Sequence, residues 1–252
     1  MAKIVLVTGA TSGIGEACAH LFAREGYDLI LTGRRRDRLE NLAKKLNTKH
    51  NIEVAVSSFD VRDREAVISN LEALPAKWKK AGVLINNAGL SQGLDPINKG
   101  NIDDWDTMID TNIKGLLYVS RVVSNWMVDH KHGHIINLGS IAGKEVYQNG
   151  NVYCATKHAV DALNKAMRID LLPYGIRVTA VHPGAVETEF SEVRFKGDKE
   201  RAKKVYDGFE PLVAEDIAET IWFAVSRPAH VNINELTVMP TAQANATTIF
   251  RS

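Results

Sequence analysis

The 252-residue sequence contains only two cysteines, Cys18 and Cys154, too few for a disulfide framework in a chain of this length. It also lacks an apolar run approaching the ~20 residues that span a bilayer. The first apolar segment begins at Ile4, which leaves no room for the charged region, apolar stretch and cleavage site of a signal peptide. Lys and Arg number 31 and Asp and Glu 30, so the net charge of +1 creates no field that favours nucleic acid or anionic membranes. We therefore expect a soluble cytoplasmic protein that binds neither nucleic acid nor membranes.

Linkers rich in Gly, Ser or Pro are absent as well, and short runs of Val, Ile and Leu alternate with longer segments of helical periodicity. This alternation is typical of βαβ units around a parallel sheet. We predict strands near residues 3–7, 28–32, 52–58, 83–85, 134–138, 176–181 and 236–239. We predict helices near residues 13–25, 35–47, 63–74, 103–130, 152–172 and 214–226, with Asp63 and Asp103 as candidate N-caps. The expected fold class is α/β, a doubly wound parallel sheet of about seven strands in one domain covering residues 1–252.

Residues 187–211 depart from the alternation, because charged residues crowd there and apolar ones thin out. In an open α/β sheet, ligands bind beyond the carboxyl ends of the strands, where a loop after the sixth strand must emerge. The segment is therefore predicted to cap a ligand site, although a solvated surface helix would have the same composition.

Three glycines, Gly9, Gly13 and Gly15, stand between the first predicted strand and the first predicted helix. Gly9 can make a tight turn, Gly13 lets the backbone approach a pyrophosphate, and Gly15 allows close helix packing. The helix N-terminus attracts the anion. This context favours dinucleotide binding over a merely structural turn. The remaining candidate ligands in the loop are Thr11, Ser12 and Ile14.

The second predicted strand ends at Arg34, Arg35 and Arg36, where dinucleotide-binding folds often carry an acidic residue for the ribose 2′-hydroxyl. Guanidinium groups instead suit a 2′-phosphate in charge-assisted, bidentate geometry. NADP is therefore predicted rather than NAD, with Arg34 and Arg35 as phosphate ligands and Arg34, nearest the strand, preferred. The alternative, the start of a solvated helix, accounts best for Arg36.

Six sequence pieces stand together in the order and spacing of the short-chain dehydrogenase/reductase family, and the whole chain resembles that family. They are the Thr8–Gly15 loop, Asn86-Asn87-Ala88-Gly89, Asn112, Ser140, Tyr153-Cys-Ala-Thr-Lys157, and Pro183-Gly184 followed by Thr188. The resemblance implies a Rossmann-like fold, hydride transfer with a nicotinamide cofactor, and often a homotetramer. It also implies a catalytic tetrad made of Ser140, Tyr153, Lys157 and Asn112, with Asn112 holding a water of a proton relay.

Further cofactor contacts are implied at the ends of the later strands. Asp60 and Val61 are expected at the adenine ring, and Asn87 and Ala88 near the ribose, where Lys157 would also bind. Gly89 is a further expected cofactor contact, and strand-to-turn chemistry is the structural alternative at both sites. The expected nicotinamide pocket consists of Pro183, Gly184, Val186 and Thr188.

The spacing of four residues places Tyr153 and Lys157 on one face of a helix. A tyrosine normally titrates near ~10, whereas proton exchange with an alcohol needs a group poised closer to neutrality. An ammonium about 4 Å away would lower that pKa by about 3 units at an effective dielectric near 20. Tyr153 is therefore predicted to be the general acid/base, and Ser140 to hold the substrate oxygen. Surface Tyr and Lys, a capping Ser and a structural Asn are the alternatives.

Within the family, residues 189–198 and 228–234 resemble the NADP-dependent 3-hydroxy acid dehydrogenases that act on serine or L-allo-threonine. Arg194 offers a fork for a substrate carboxylate, unless it forms a surface salt bridge with Glu192 or Asp198. We expect oxidation of small 3-hydroxy acids. The alternatives are a broad carbonyl reductase and a cofactor-binding sensor without turnover. His130, His132 and His134 alternate but have no evident acidic or thiol partner, so no metal is predicted.

Overall fold

The computed structural model describes residues 3–252, and its centre is a parallel sheet of seven strands in the order β3-β2-β1-β4-β5-β6-β7. The strands are β1 (Ile4–Thr8), β2 (Asp28–Gly33), β3 (Val54–Ser58), β4 (Val83–Asn86), β5 (Gly133–Leu138), β6 (Ile176–Pro183) and β7 (Glu235–Val238). The order reverses between β1 and β4, which confirms the predicted Rossmann-like doubly wound fold.

Helices cover both faces of the sheet. They are α1 (Gly13–Arg24), α2 (Arg36–His50), α3 (Arg64–Glu72), α4 (Ile102–Ile109), α5 (Leu116–His130), α6 (Asn151–Leu171), α7 (Phe190–Arg194), α8 (Lys199–Lys204) and α9 (Ala214–Val225). On one face the core contains Phe22 of α1 and Ile221 of α9, and on the other it contains Trp126 of α5. Side chains on both faces of the central strands β1 and β4 are buried, which explains why each strand begins with a continuous apolar run.

The seven predicted strands and five of the six predicted helices are confirmed, with ends that shift by a few residues. The predicted helix 103–130 differs, because a π-helical turn at Asp110–Gly115 separates α4 from α5. Asp63 caps α3 by accepting a hydrogen bond from the Ala66 N–H at 3.0 Å. The second capping prediction was wrong, since Asn101 rather than Asp103 caps α4. Asn101 immediately precedes the helix, whereas Asp103 lies in its first turn.

The charged segment 187–211 is not a single surface helix, because it forms the two short helices α7 and α8. Among residues 3–252, the structure has no helix that is both long and apolar enough to cross a membrane.

The reversal of strand order brings the loops after β1 and β4 together at the carboxyl edge of the sheet. Thr8 at the end of β1 accepts hydrogen bonds through its hydroxyl from the N–H groups of Asn87 and Ala88, both at 2.9 Å. A Cβ on Gly15 would collide with the Gly9 carbonyl oxygen. Only glycine at position 15 therefore lets α1 approach so closely, and the two loops form the walls of a crevice.

Candidate active site

A cavity of about 650 Å³ occupies this crevice at the carboxyl edge of the sheet. It is continuous from the glycine loop to the N-terminal turns of α6, and the capping segment 187–211 contributes to its wall. The predicted site residues that line it are Gly9, Thr11, Ser12, Gly13, Ile14, Arg34, Arg35, Asp60, Val61, Asn87, Ala88, Gly89, Ser140, Tyr153, Lys157, Pro183, Gly184, Val186, Thr188 and Arg194. Gly15 and Asn112 lie behind this surface among the described residues.

The glycine loop leaves the N-terminus of α1 open to the cavity. Gly9 and Gly13 have φ values of +67° and +54°, in the left-handed region that favours glycine. Ser12 is the N-cap residue, yet its side chain makes no capping hydrogen bond. The first backbone N–H groups of a helix lack partners within the helix. The loop therefore offers an anion a set of backbone donors.

Arg35 is the arginine that the structure ties to this loop. Its guanidinium donates to the Thr11 hydroxyl at 2.7 Å and to the Ser12 hydroxyl at 2.8 Å. Arg34 instead extends toward solvent, with 62% of its side chain exposed and a 3.9 Å contact to Asp60. Arg36 pairs with Glu40 one helical turn away at 2.7 Å, as the solvated-helix interpretation expects.

A carboxylate from the capping segment bridges two arginines at the same end of the cavity. Glu189 accepts hydrogen bonds from Arg35 at 3.0 Å and from Arg38 at 2.9 Å. Partial burial tends to raise the pKa of the Glu189 carboxyl, but these hydrogen bonds and charges hold it below its usual value. The charges of Arg35 and Arg38 are thus already partly neutralised by a residue of the capping segment.

Asp60 also has a cationic partner. Its carboxylate accepts from the Arg62 guanidinium at 2.7 Å. Partial burial works to raise the pKa of Asp60, yet the hydrogen bonds and charge of Arg62 lower it overall. Asp60 therefore stays ionised at the cavity wall, beside Val61.

Helix α6 carries Tyr153 and Lys157 one turn apart, and both side chains are buried against the cavity. The Lys157 ammonium lies 6.0 Å from the centre of the Tyr153 ring and donates to the Leu138 carbonyl oxygen at 2.8 Å. Burial lowers the pKa of Lys157 to about 8. The two side chains share one helix face as predicted, but the ammonium is held by the end of β5.

The prediction that Lys157 brings Tyr153 toward neutrality was wrong for this arrangement. Burial raises the pKa of the Tyr153 phenol above its usual value. The charge of Arg194 and a hydrogen bond with the Ser140 hydroxyl oppose that rise, while Cys154 adds to it. The spacing of four residues correctly predicted that Tyr153 and Lys157 lie on one face of α6. It could not predict that the Lys157 ammonium would donate to the Leu138 carbonyl or that the Tyr153 phenol would be buried.

Ser140 follows β5 in extended backbone geometry and opens a short 3₁₀ turn at Ile141–Gly143. Its hydroxyl accepts a hydrogen bond from the Ala142 N–H at 3.1 Å. The same hydroxyl contacts the Tyr153 phenol. Ser140 therefore caps a turn and also faces the phenol, and its predicted role at the substrate oxygen stays a prediction.

Asn112 lies in the π-helical turn and is buried. Its amide oxygen accepts from the Leu90 N–H at 2.8 Å, and its amide nitrogen donates to the Leu90 carbonyl at 2.8 Å and to the Thr156 hydroxyl at 3.0 Å. These bonds fasten the loop after β4 to helix α6. The predicted role in a proton relay stays a prediction, since the side chain is engaged in structural hydrogen bonds.

Arg194 at the end of α7 points into the cavity. Its guanidinium donates to the Ser91 hydroxyl at 3.1 Å and to the Tyr147 hydroxyl at 3.0 Å. It lies 5.3 Å from the centre of the Tyr153 ring and 5.1 Å from that of Phe190. Among the described residues no salt bridge joins it to Glu192 or Asp198, and Asp198 instead caps α8. The salt-bridge alternative was therefore wrong.

Sequence reasoning missed Ser91, Tyr147, Phe190 and Glu189. Tyr147 stands six residues before Tyr153 and Ser91 follows the Asn87–Gly89 motif, so closeness to known motifs was the only signal available. Their contacts with Arg194 join segments separated by 47 and 103 residues. No local periodicity predicts such a meeting.

The arrangement has the composition and geometry of a dinucleotide-dependent oxidoreductase site, and the comparison with known families agrees. A family model described as short chain dehydrogenase matches residues 3–199. The chain belongs to the short-chain dehydrogenase/reductase family.

Relatives with similar sequences and structures cover nearly the whole chain. An NADP-dependent 3-hydroxy acid dehydrogenase, YdfG, of Escherichia coli O6:H1 is 48% identical over 244 residues, which is 96% of this chain and 97% of the relative. Sulfoacetaldehyde reductase 2 of Chromohalobacter salexigens is 46% identical over 97% of this chain and 96% of the relative. The closed form of a serine dehydrogenase complexed with NADP+ superposes with a TM-score of 0.92 at 46% identity and covers 99% of each chain.

The burial of Lys157 generates a direct titration test. In protein carrying ¹³C at the lysine ε position, we expect one resonance to titrate near pH 8, because burial disfavours the ammonium and lowers its pKa. The resonance should disappear in Lys157→Gln. Lys144 is the matched comparison, since partial burial works to lower its pKa but its ion pairs with Asp161 and Glu235 raise it overall. A Lys157 resonance that titrates at or above the Lys144 resonance would contradict the burial argument.

Proposed function

We propose that the chain oxidises small 3-hydroxy acids, such as serine, L-allo-threonine or 3-hydroxyisobutyrate, with NADP+ and by hydride transfer, reversibly as carbonyl reduction. The observation that carries the proposal is the Arg194 guanidinium, which lies 5.3 Å from the Tyr153 ring centre inside the cavity. The names of the similar proteins, a 3-hydroxy acid dehydrogenase and a serine dehydrogenase, support the same class.

The distance between cation and phenol suits a short substrate. In a 3-hydroxy acid the carbon that bears the hydroxyl is separated from the carboxyl carbon by a single carbon. A substrate whose hydroxyl meets Tyr153 would thus have its carboxylate within reach of a neighbouring guanidinium. Arg194 can then donate two hydrogen bonds to the carboxylate. Ser91 and Tyr147 hold the guanidinium in place.

The residues present fit NADP. The open N-terminus of α1 and the glycines Gly9 and Gly13 would hold the pyrophosphate. Arg35, with Arg34 beside it, would hold the 2′-phosphate. Asp60 and Val61 would border the adenine, residues 87–89 the ribose, and residues 183–188 the nicotinamide. When bound, NADP+ supplies the hydride acceptor.

The chain's own residues then exchange one proton with the substrate and position the substrate oxygen. Tyr153 as phenolate accepts the proton of the substrate hydroxyl, and as phenol it returns that proton in carbonyl reduction. Ser140 donates a hydrogen bond to the substrate oxygen and holds it near the phenol. Burial disfavours the phenolate, and the positive charge of Arg194 together with the hydrogen bond of Ser140 offsets part of that cost. Asn112 keeps its predicted place in the relay that returns the proton to solvent.

We also propose that residues 1–252 fold as one domain that works in the cytoplasm as a homo-oligomer, a tetramer by family resemblance. The single sheet supports the first point, and the two buried free cysteines support a reducing compartment. Ile169 and Leu172 at the end of α6 are 73% and 72% exposed. Apolar side chains so exposed favour a covering partner.

The role of Tyr153 leads to a loss-of-function prediction. Tyr153→Phe removes the only proton-exchanging atom of that side chain, so we expect kcat to fall by about 10³-fold or more while the Kd for NADP+ changes little. Turnover followed by NADPH absorbance and cofactor binding followed by calorimetry measure the two quantities. Tyr174→Phe, at an exposed tyrosine outside the cavity, is the control. A wild-type protein that binds NADP+ but turns nothing over would indicate a cofactor sensor instead.

The role of Arg194 predicts selectivity for anionic substrates. Wild-type protein should oxidise L-serine, L-allo-threonine, 3-hydroxyisobutyrate and 3-hydroxypropionate with higher kcat/KM than neutral alcohols of the same length. In Arg194→Gln this preference should fall by about 10²-fold, since a charge-assisted bidentate contact is lost, and mainly through KM. The exposed Arg24→Gln is the control. Turnover confined to neutral alcohols would show a broad carbonyl reductase, and turnover confined to 2-hydroxyethanesulfonate would show a sulfonate enzyme.

The arginines at the end of β2 predict the cofactor. Arg35→Ala should raise the KM for NADP+ by about 10-fold or more and leave the KM for NAD+ nearly unchanged, because only NADP+ has a 2′-phosphate. Arg34→Asp should move the preference further toward NAD+ by repelling the phosphate. Arg36→Ala, whose partner is Glu40, serves as the control. An unchanged NADP+ to NAD+ ratio in both variants would show that another group binds the phosphate.

A further inference from the structure

His182 is the second-to-last residue of strand β6, directly behind the loop that carries Ser140, and its side chain is completely buried. It does not line the cavity in the part of the chain that the structure describes. Its Nδ1 lies 3.2 Å from the Ser140 carbonyl oxygen, and its Nε2 lies 3.5 Å from an oxygen of Asp161. The ring thus stands between Ser140 and the helix that carries Tyr153.

The acceptor next to Nδ1 fixes the tautomer. A carbonyl oxygen can only accept, so Nδ1 must carry the proton for the 3.2 Å contact to be a hydrogen bond. Burial and the charge of Lys144 lower the pKa of His182, although Asp161, Glu235 and the Ser140 carbonyl oppose this. The ring is therefore neutral, and Nε2 carries a lone pair. In this tautomer Nε2 faces an Asp161 oxygen at 3.5 Å and has no hydrogen-bond partner among the described residues.

Hydrogen bonds from both residues attach the backbone of residues 139–140 to β6. The Gly139 N–H donates to the Val181 carbonyl at 2.7 Å. The Ser140 carbonyl accepts from the Gly143 N–H at 2.8 Å as well as from His182. A Cβ at position 139 would collide with the His182 ring. The ring can therefore lie directly against the backbone that sets the direction of the Ser140 side chain.

The other side of the ring faces an ion-pair network. Lys144 donates to Asp161 at 2.8 Å and to Glu235 at 2.7 Å, and Lys165 donates to Asp161 at 2.6 Å. Asp161, His182 and Glu235 lie close enough together to suggest a metal site. However, the two ammonium groups already neutralise the two carboxylates. The network instead gives the ring a rigid support built from α6, β7 and residue 144.

We propose that His182 is a positioning residue, which through its Nδ1–H orients Ser140 toward Tyr153 and the substrate oxygen. The inference rests on the proposed function only in that Tyr153 exchanges the proton. It does not depend on which alcohol or carbonyl is the substrate. His182 touches neither the cavity nor the phenol, so its effect passes entirely through Ser140.

The effect on Tyr153 gives the proposal a specific signature. Besides burial, the groups that act on the phenol are Arg194, Ser140 and Cys154, and Ser140 lowers its pKa. Lys157 stands 6.0 Å from the ring. If Ser140 loses its orientation, that lowering is lost and the pKa of Tyr153 rises further. Alcohol oxidation needs the phenolate, so the midpoint of its pH profile must then move to higher pH.

Two substitutions separate positioning from packing. In His182→Asn the amide nitrogen can take the place of Nδ1 and still donate to the Ser140 carbonyl. In His182→Gln the donor lies one carbon further out, near the place of Nε2. We expect His182→Gln to lower kcat about 10-fold, to move the pH midpoint upward, and to leave the KM for NADP+ within about two-fold. His182→Asn should keep both kcat and midpoint close to wild type.

His230→Asn, at an exposed histidine outside the cavity, is the control for the substitution itself. Wild-type kinetics in His182→Gln, or equal losses in the Asn and Gln variants without a shift of the midpoint, would overturn the proposal. A second measurement needs neither variants nor turnover. In ¹⁵N-histidine-labelled wild-type protein we expect the Nδ1–H tautomer of His182, and the Nε2–H tautomer would overturn the proposal. If no hydroxy acid reacts, the kinetic test uses the carbonyl substrate that does, so that the two proposals fail separately.

Discussion

The chemistry of the site depends on a balance between the burial of Tyr153 and the positive charges around it. Burial raises the pKa of the phenol, and the same burial lowers the pKa of Lys157 to about 8. Both groups are pushed toward neutrality by the same loss of water. Keeping either group ionised without partners would destabilise the site. The Lys157 ammonium therefore donates to the Leu138 carbonyl, and Ser140 and Arg194 stabilise the phenolate form of Tyr153.

The sheet explains why so much of the site could be predicted. In a parallel sheet every strand delivers its following loop to the same edge, so motifs at the ends of β1, β2, β4, β5 and β6 must converge there. The strand positions follow from runs of apolar residues, and the glycine loop and the Tyr153–Lys157 spacing carry local geometry of their own. For this reason all but Gly15 and Asn112 of the predicted residues line the cavity.

The parts that could not be predicted depend on side chains from distant segments. The position of the Lys157 ammonium was decided by the carbonyl of Leu138, which lies 19 residues away. Arg35, rather than Arg34, meets the glycine loop because its guanidinium reaches the hydroxyls of Thr11 and Ser12. The π-helical turn at Asp110–Gly115 could not be predicted from the sequence because its residues continue the helical pattern of the flanking segments. Periodicity describes which face of an element is buried, but not which polar atoms meet across elements.

Helix α7 connects the two ends of the cavity. Its N-cap residue Glu189 binds Arg35 and Arg38 beside the glycine loop, and its last residue Arg194 binds Ser91 and Tyr147 beside Tyr153. The helix has five residues, little more than one turn, so the two sets of contacts lie close together along it. Contacts at both ends therefore hold this short helix against the cavity. The surface ion pairs of Glu189 are weak individually, yet they act on the residue that faces the reacting group.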